Sequence, residues 1–209
     1  MNIYIPAAFL TAGSLTGLLM KKVTAEAIKK RGDEKTGGFP FNGGFVWPAA
    51  FALLFFGAYL YFGISIKSAE FIFASTAAIM IAAVDYSIRR IPNGTLLSLI
   101  LGFAAFFSLG GSLSGLSSHL AGLAAGLGIF TAPFAVGQRA GAGDIKYGAV
   151  IGLFLGYYYG IIAFFITAAL FFVYASALFV TKKGGLKTKT ALGPYMSAGF
   201  MVALVLSLA

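Results

Sequence analysis

Apolar segments long enough to form membrane-spanning helices dominate this sequence of 209 residues. A helix needs roughly 20 residues to cross the apolar core of a bilayer, and fewer when neighbouring helices bury it. Hydrophobic residues make up 59% of the chain and charged residues only 10%, whereas soluble domains carry about a quarter charged residues. We therefore predict an all-α fold, a polytopic transmembrane helical bundle. About eight helices are expected, at 3–20, 46–64, 68–86, 94–110, 115–136, 145–158, 159–181 and 192–208.

The boundary between the sixth and seventh segments decides whether the chain crosses the membrane eight times or seven. With eight helices and both termini outside, the four predicted cytoplasmic loops and their edges contain every Lys and Arg except Lys67. With seven helices, the basic cluster at 182–189 would lie outside. Cytoplasmic loops are enriched in Lys and Arg, so the distribution of charge favours eight helices.

The chain is predicted to be one membrane-embedded domain, 1–209, in the inner (cytoplasmic) membrane, with a short cytoplasmic loop at 21–45. Its formal net charge of +9 is expected to face anionic lipid headgroups. Nucleic acid is not an expected partner, because no basic patch is interleaved with stacking aromatic residues. The chain has no cysteine and a single histidine, His119, so thiolate and multi-histidine metal sites are excluded.

Two isolated carboxylates, Asp85 and Asp144, are the strongest candidates for a functional site. The chain contains only six acidic residues, and these two stand at the ends of otherwise apolar segments. A carboxylate at membrane depth is costly unless it is paired, hydrated or used in the function. In the predicted topology both lie near the cytoplasmic face, which predicts a pair that shares one proton and activates water.

Other roles for these two residues stay open on spacing alone. Asp85 could form an ion pair with Arg89, and Asp144 could cap the sixth helix. Carboxylates in membrane segments also relay protons, so a proton- or ion-coupled transporter that uses Asp85 and Asp144 is an alternative function.

Small residues follow Asp144 at every fourth position, which places them on one face of a helix. Such a stripe allows a neighbouring helix to pack closely, and we expect the third helix to be that neighbour. The fifth helix carries a similar small-residue face. The first stripe is Gly148, Gly152, Gly156 and Gly160, and the second is Ser118, Gly122 and Gly126.

Three stretches, in the order of the chain, resemble motifs of the type IV prepilin leader peptidases. The stretch from Gly141 to Lys146 resembles their GxGDxK signature. Asp85, with Pro92 and Asn93 following, resembles their first aspartate motif. Residues 193–199 resemble their C-terminal Gly-Pro-aromatic segment, and 13–17 in the first helix is a fainter match.

The resemblance implies an aspartic endopeptidase of the GxGD type. Asp85 and Asp144 would be the catalytic pair, and the substrates would be prepilins or pseudopilins, cut behind a basic leader at the cytoplasmic face. Such substrates serve type IV pili and protein secretion. The site-shaping residues would be Gly141, Gly143, Lys146, Asn93 and Pro92.

The first predicted loop departs from many members of that family, which have a larger loop with paired cysteines that bind zinc. Loop 21–45 is short and has no cysteine, so no metal is expected. Proteolysis by two carboxylates needs no cofactor. Many members also N-methylate the new terminus, and S-adenosylmethionine would be the cofactor here if that methyltransferase activity is retained.

Overall fold

Helices are the only regular secondary structure in the parts of the chain that the computed structural model describes, residues 4–31, 45–110, 113–135, 141–181 and 190–209. The predicted all-α fold is therefore confirmed. The helices are α1 (Tyr4–Arg31), α2 (Val46–Phe62), α3 (Ile66–Ile88), α4 (Asn93–Gly110), α5 (Leu113–Ala135), α6 (Ala142–Val180) and α7 (Gly193–Leu208).

Within the described residues, four helices are long and apolar enough to cross a membrane, and α2 and α7 are shorter apolar helices of 17 and 16 residues. Their apolar residues cover all sides, as expected of helices that face lipid on one side and other helices on the other. The architecture is that of a multi-pass membrane protein, as predicted. The four long spans are Ile66–Ile88, Asn93–Gly110, Ser114–Pro133 and Ala142–Val180.

The α6 helix reverses its direction at Gly156, which has φ 75° and ψ 179°. A Cβ placed on Gly160 would lie only 3.3 Å from the Cα of Gly152, whereas eight residues of unbroken helix would separate the two by about 12 Å. The two arms, 142–155 and 157–180, therefore pack against each other. The predicted division of this region into two segments is confirmed, with the break at Gly156 instead of after residue 158.

Two polar side chains of α5 satisfy the backbone groups that the break in α6 leaves without helical partners. Ser118 Oγ accepts a hydrogen bond from the N–H of Tyr157 at 3.2 Å, and His119 Nδ1 lies 2.8 Å from the carbonyl oxygen of Leu153. A carbonyl only accepts, so Nδ1 carries the proton. His119 thus stabilises the reversal.

The first three glycines of the stripe that follows Asp144 pack against α5, and Gly160, beyond the break, faces Gly152, so the expectation that α3 is the partner is wrong. A Cβ on Gly126 would overlap the backbone of Gly148, and one on Gly122 would overlap that of Gly152. Among the described residues, α3 and α6 make no close backbone approach, and α7 packs against both. The stripe packs against α5 and not α3 because α5 has a small-residue face of its own, and two such faces allow the closest approach of two helices.

The first helix is longer than predicted. It continues to Arg31, so the first part of predicted loop 21–45 is helical, and 32–44 lie outside the described residues. The extension is rich in Lys and Ala, which favour helices. Deeper in the bundle, a Cβ on Gly13 would lie 2.5 Å from the carbonyl oxygen of Phe51, so α1 and α2 are in close contact.

Candidate active site

Four helix ends meet at one cleft of about 560 Å³: the C-terminal end of α3 and the N-terminal ends of α4, α6 and α7. Both predicted catalytic residues, Asp85 and Asp144, line this cleft, although α3 and α6 are not neighbours. The lining consists of Asp85, Arg89, Arg90, Ile91, Asn93, Gly141, Ala142, Gly143, Asp144, Lys146, Thr190, Ala191 and Leu192.

The Asp85 carboxylate lies at the N-terminus of α7. Asp85 is 5% exposed, and its Oδ2 accepts a hydrogen bond from the backbone N–H of Gly193 at 2.8 Å. Gly193 is the first residue of α7, where backbone N–H groups have no partner within the helix and the helix dipole favours negative charge. Asp85 therefore caps α7 from another helix. The charge of Arg89 also attracts this carboxylate, but the contact that the structure shows is the hydrogen bond from Gly193.

Gly193 leaves the space that the Asp85 carboxylate occupies. A Cβ at this position would lie 2.7 Å from Asp85 Oδ2 and 2.9 Å from its Cγ. Any side chain at position 193 would thus displace the carboxylate from the end of α7. In the sequence, residues 193–199 stand out only by their resemblance to a motif, which does not predict the contact with Asp85. The sequence signal for this contact is a glycine directly before a proline that starts a helix.

The segment between α3 and α4 follows Asp85 and packs against the start of α6. Arg89 ends α3 in the left-handed conformation, with φ 52° and ψ 44°, and its N–H bonds the carbonyl oxygen of Asp85 at 2.7 Å. This turn directs Ile91 into the core, where it is 8% exposed. A Cβ on Gly143 would lie 3.2 Å from the Cβ of Ile91. Gly143 therefore lets the segment after Asp85 pack against the residue before Asp144.

The Asp144 side chain, in the first turn of α6, folds back over Gly141. A Cβ on Gly141 would lie 2.5 Å from Asp144 Oδ2, although the backbone of Gly141, with φ −66° and ψ 125°, is accessible to any residue. Gly141 is thus needed for space and not for a special turn. Among the described residues, Asp144 makes no capping hydrogen bond to α6, which does not support a role as a simple helix cap.

The remaining predicted site-shaping residues differ in their relation to the cleft. Lys146 and Asn93 are exposed and line it. Pro92 is buried and does not line it, and its carbonyl oxygen accepts the N–H groups of Thr95 and Leu96 at the start of α4. Pro92 therefore supports the start of α4 and not the cleft wall.

The cleft places two carboxylates and several basic side chains on one surface. Asp85 and Asp144 line it together with Arg89, Arg90 and Lys146. Within the described parts of the chain, no group of three or more His, Cys, Asp or Glu could hold a metal ion. Two neighbouring carboxylates of this kind can share one proton and so act as a general acid and a general base.

The fold and the cleft together define the class of protein: an all-α, multi-pass membrane protein with two carboxylates lining one cleft where four helices begin or end. Ionisable residues placed so in a membrane bundle are rare and indicate a functional site.

This chain belongs to the Type IV leader peptidase family, whose sequence profile matches residues 71–176, a range that contains Asp85 and Asp144. The chain is also similar to the prepilin leader peptidase/N-methyltransferase of Bacillus subtilis (strain 168), with 32% identity over 167 residues. The match covers 76% of this chain and 65% of that protein, so the chain spans about two thirds of its length. No solved structure matches this chain.

The resemblance read from the three motifs is confirmed at the level of the family. The two matches support a peptidase and give no support to a transporter. The roles of individual residues in the cleft do not follow from these two matches.

Proposed function

We propose that this chain is an aspartic endopeptidase that removes the leader peptide from prepilin or pseudopilin substrates, with Asp85 and Asp144 as its catalytic pair. The observation that carries this proposal is the convergence of both carboxylates on one cleft. Two contacts hold this cleft together, and both start from the first aspartate motif. Ile91 packs against Gly143 of the second motif, and Asp85 accepts a hydrogen bond from the N–H of Gly193 in the third.

The proposed reaction is the addition of one water molecule across a peptide bond. The ionised carboxylate takes a proton from water, and the water oxygen attacks the carbonyl carbon while the protonated carboxyl donates to the carbonyl oxygen. As the tetrahedral intermediate collapses, one of its hydroxyl groups returns a proton to the pair, the C–N bond breaks, and the leaving nitrogen receives a proton from the pair. The products are a new carboxylic acid, which then ionises in water, and a new amine, and the pair returns to its singly protonated state.

The cytoplasmic face of the inner membrane is the proposed location of the cleft. Arg89, Arg90 and Lys146 stand at the helix ends that form it, and Lys and Arg accumulate on the cytoplasmic side of membrane proteins. At the opposite end of the bundle, Lys67 donates to the carbonyl oxygen of Leu208 at the end of α7, at 2.6 Å. Lys67, the one basic residue expected on the outer side, thus has a hydrogen-bond partner at that end of the bundle.

The first prediction concerns cleavage of a co-expressed prepilin. Asp85→Asn and Asp144→Asn keep the size of each side chain but remove its acid–base chemistry, so each should abolish cleavage without loss of membrane insertion. Glu70→Gln is the matched control, because Glu70 is a partly buried carboxylate of the same helix α3, about 22 Å along the helix from Asp85. It should cleave at the wild-type rate.

Mass spectrometry of the pilin reads out the cleavage site and any methyl group on the new terminus together. Unchanged cleavage by either Asp→Asn variant would remove that residue from the proposed pair. Methylation is a separate proposal, since hydrolysis by the two carboxylates requires no S-adenosylmethionine. A methyl group added by the wild-type chain, and absent without it, would establish that second activity.

A further inference from the structure

A chain of buried hydrogen bonds joins α6, α7 and α3 beneath the cleft. The hydroxyl of Tyr147 on α6 lies 2.9 Å from Ser197 Oγ on α7, and Ser197 Oγ donates to the carbonyl oxygen of Ala78 on α3 at 2.8 Å. A hydroxyl has one proton and a carbonyl only accepts, so Ser197 gives its proton to Ala78 and accepts one from Tyr147. The direction of both hydrogen bonds is therefore fixed.

These two hydroxyl groups lie within the apolar core. Tyr147 is 0% exposed and Ser197 is 3% exposed. Phenylalanine and alanine would fill nearly the same space without any polar atom to satisfy, whereas a buried hydroxyl that loses its partner is costly. Packing alone therefore does not explain why hydroxyl groups occupy both positions.

The hydrogen-bonded residues lie close in sequence to the residues that hold the two carboxylates. Tyr147 follows Asp144 by three positions, and Ser197 follows Gly193 by four, which in both cases is about one helical turn. Ala78 precedes Asp85 by two turns on α3. In the described parts of the chain, α3 and α6 make no close backbone approach. Both α4 and α7 pack against the two aspartate-bearing helices, and through α7 the chain of hydrogen bonds links them directly.

We infer that Tyr147 and Ser197 are positioning residues, whose hydroxyl groups hold α6, α7 and α3 in register so that Asp144 faces Asp85 across the cleft. The inference rests on the proposed function, because it concerns the geometry of the catalytic pair. Neither hydroxyl lines the cleft, so both act through the helices and not on the substrate.

The test compares Tyr147→Phe, Ser197→Ala and the double variant, purified as full chains and assayed on a prepilin substrate. Each single variant should lower kcat roughly tenfold and leave KM nearly unchanged, since small misplacements of catalytic groups slow the chemical step. Both substitutions break the same link, so the double variant should be no slower than Ser197→Ala. Thr95→Val is the matched control, because it removes another buried hydroxyl, which bonds Met80 Sδ on α3 at 3.6 Å and lies outside the cleft.

Thermal unfolding of the same samples separates positioning from a general loss of stability. Thr95→Val should lower the unfolding temperature while keeping the wild-type kcat per folded molecule. If Tyr147→Phe and Ser197→Ala also keep that kcat per folded molecule, the two hydroxyls only stabilise the fold and the inference is wrong. That outcome leaves the proposed function intact so long as Asp85→Asn and Asp144→Asn are inactive in the same assay. Cleavage by those two variants would overturn the proposed function itself.

Discussion

Positions 141, 143 and 193 require glycine because a side chain there would crowd neighbouring side chains. Gly141 makes room for the Asp144 carboxylate, Gly143 for Ile91, and Gly193 for the Asp85 carboxylate. The backbone of Gly141 has ordinary dihedral angles, so the GxGD pattern here reflects close approach and not an unusual turn. The polar groups of the site can be held close only because these positions have no Cβ.

Gly193→Ala is the most specific prediction at the scale of a single residue. The new Cβ would overlap the Asp85 carboxylate and separate it from the N-terminus of α7, so cleavage should fall tenfold or more, a rough estimate for displaced catalytic groups. Gly57→Ala is the control, because no atom lies within 4 Å of a Cβ at Gly57 on α2. The initial rate of prepilin cleavage by purified enzyme measures both. Equal rates for the two variants would show that the contact between Asp85 and Gly193 is unimportant.

Among the helices, α6 carries the most unusual feature, its reversal at Gly156. The backbone of Gly156 lies in a region that is open essentially to glycine alone. Ser118 and His119 of α5 bond the backbone groups on either side of the break. The first arm of α6 is thereby held against α5 while the second arm returns along it, and the arm that begins with Asp144 keeps a fixed position.

Gly156→Ala should destabilise the protein by about 1–3 kcal/mol, the usual cost of forcing a residue with a side chain into such a conformation. Its Cβ would also lie 3.0 Å from Ser118 Oγ. Gly128→Ala on α5 meets no atom within 4 Å and should be neutral or slightly stabilising, as expected for alanine in a helix. Thermal unfolding in detergent distinguishes the two. If the Gly156→Ala protein were as stable as the Gly128→Ala protein, the reversal would not need glycine at position 156.

The bundle as a whole brings three distant parts of the chain to one cleft, and the sequence predicts part of this arrangement. The apolar segments predict the helices, and the charge distribution predicts the division of α6 into two segments. Asp85 and Asp144 stand out because carboxylates are costly in an apolar chain. The predictions of the helices and of the divided α6 hold because hydrophobicity and charge act locally along the sequence.

The neighbours of each helix could not be predicted from the sequence. The stripe after Asp144 indicates close packing but not its partner, since small-residue faces occur on several helices. The structure selects α5, and α7 lies between α3 and α6. The sequence also does not predict the hydrogen bonds from Tyr147 through Ser197 to Ala78, because they depend on the register of three helices that are far apart in the chain.

The central claim is that Asp85 and Asp144 act as one hydrolytic unit, and their joint substitution tests it most directly. Residues that act as a unit are strongly non-additive. We therefore expect Asp85→Asn, Asp144→Asn and the double variant to show the same residual rate of prepilin cleavage, measured with purified enzyme under single-turnover conditions. A wild-type rate in either single variant, or a double variant slowed by the product of the two single effects, would contradict the claim.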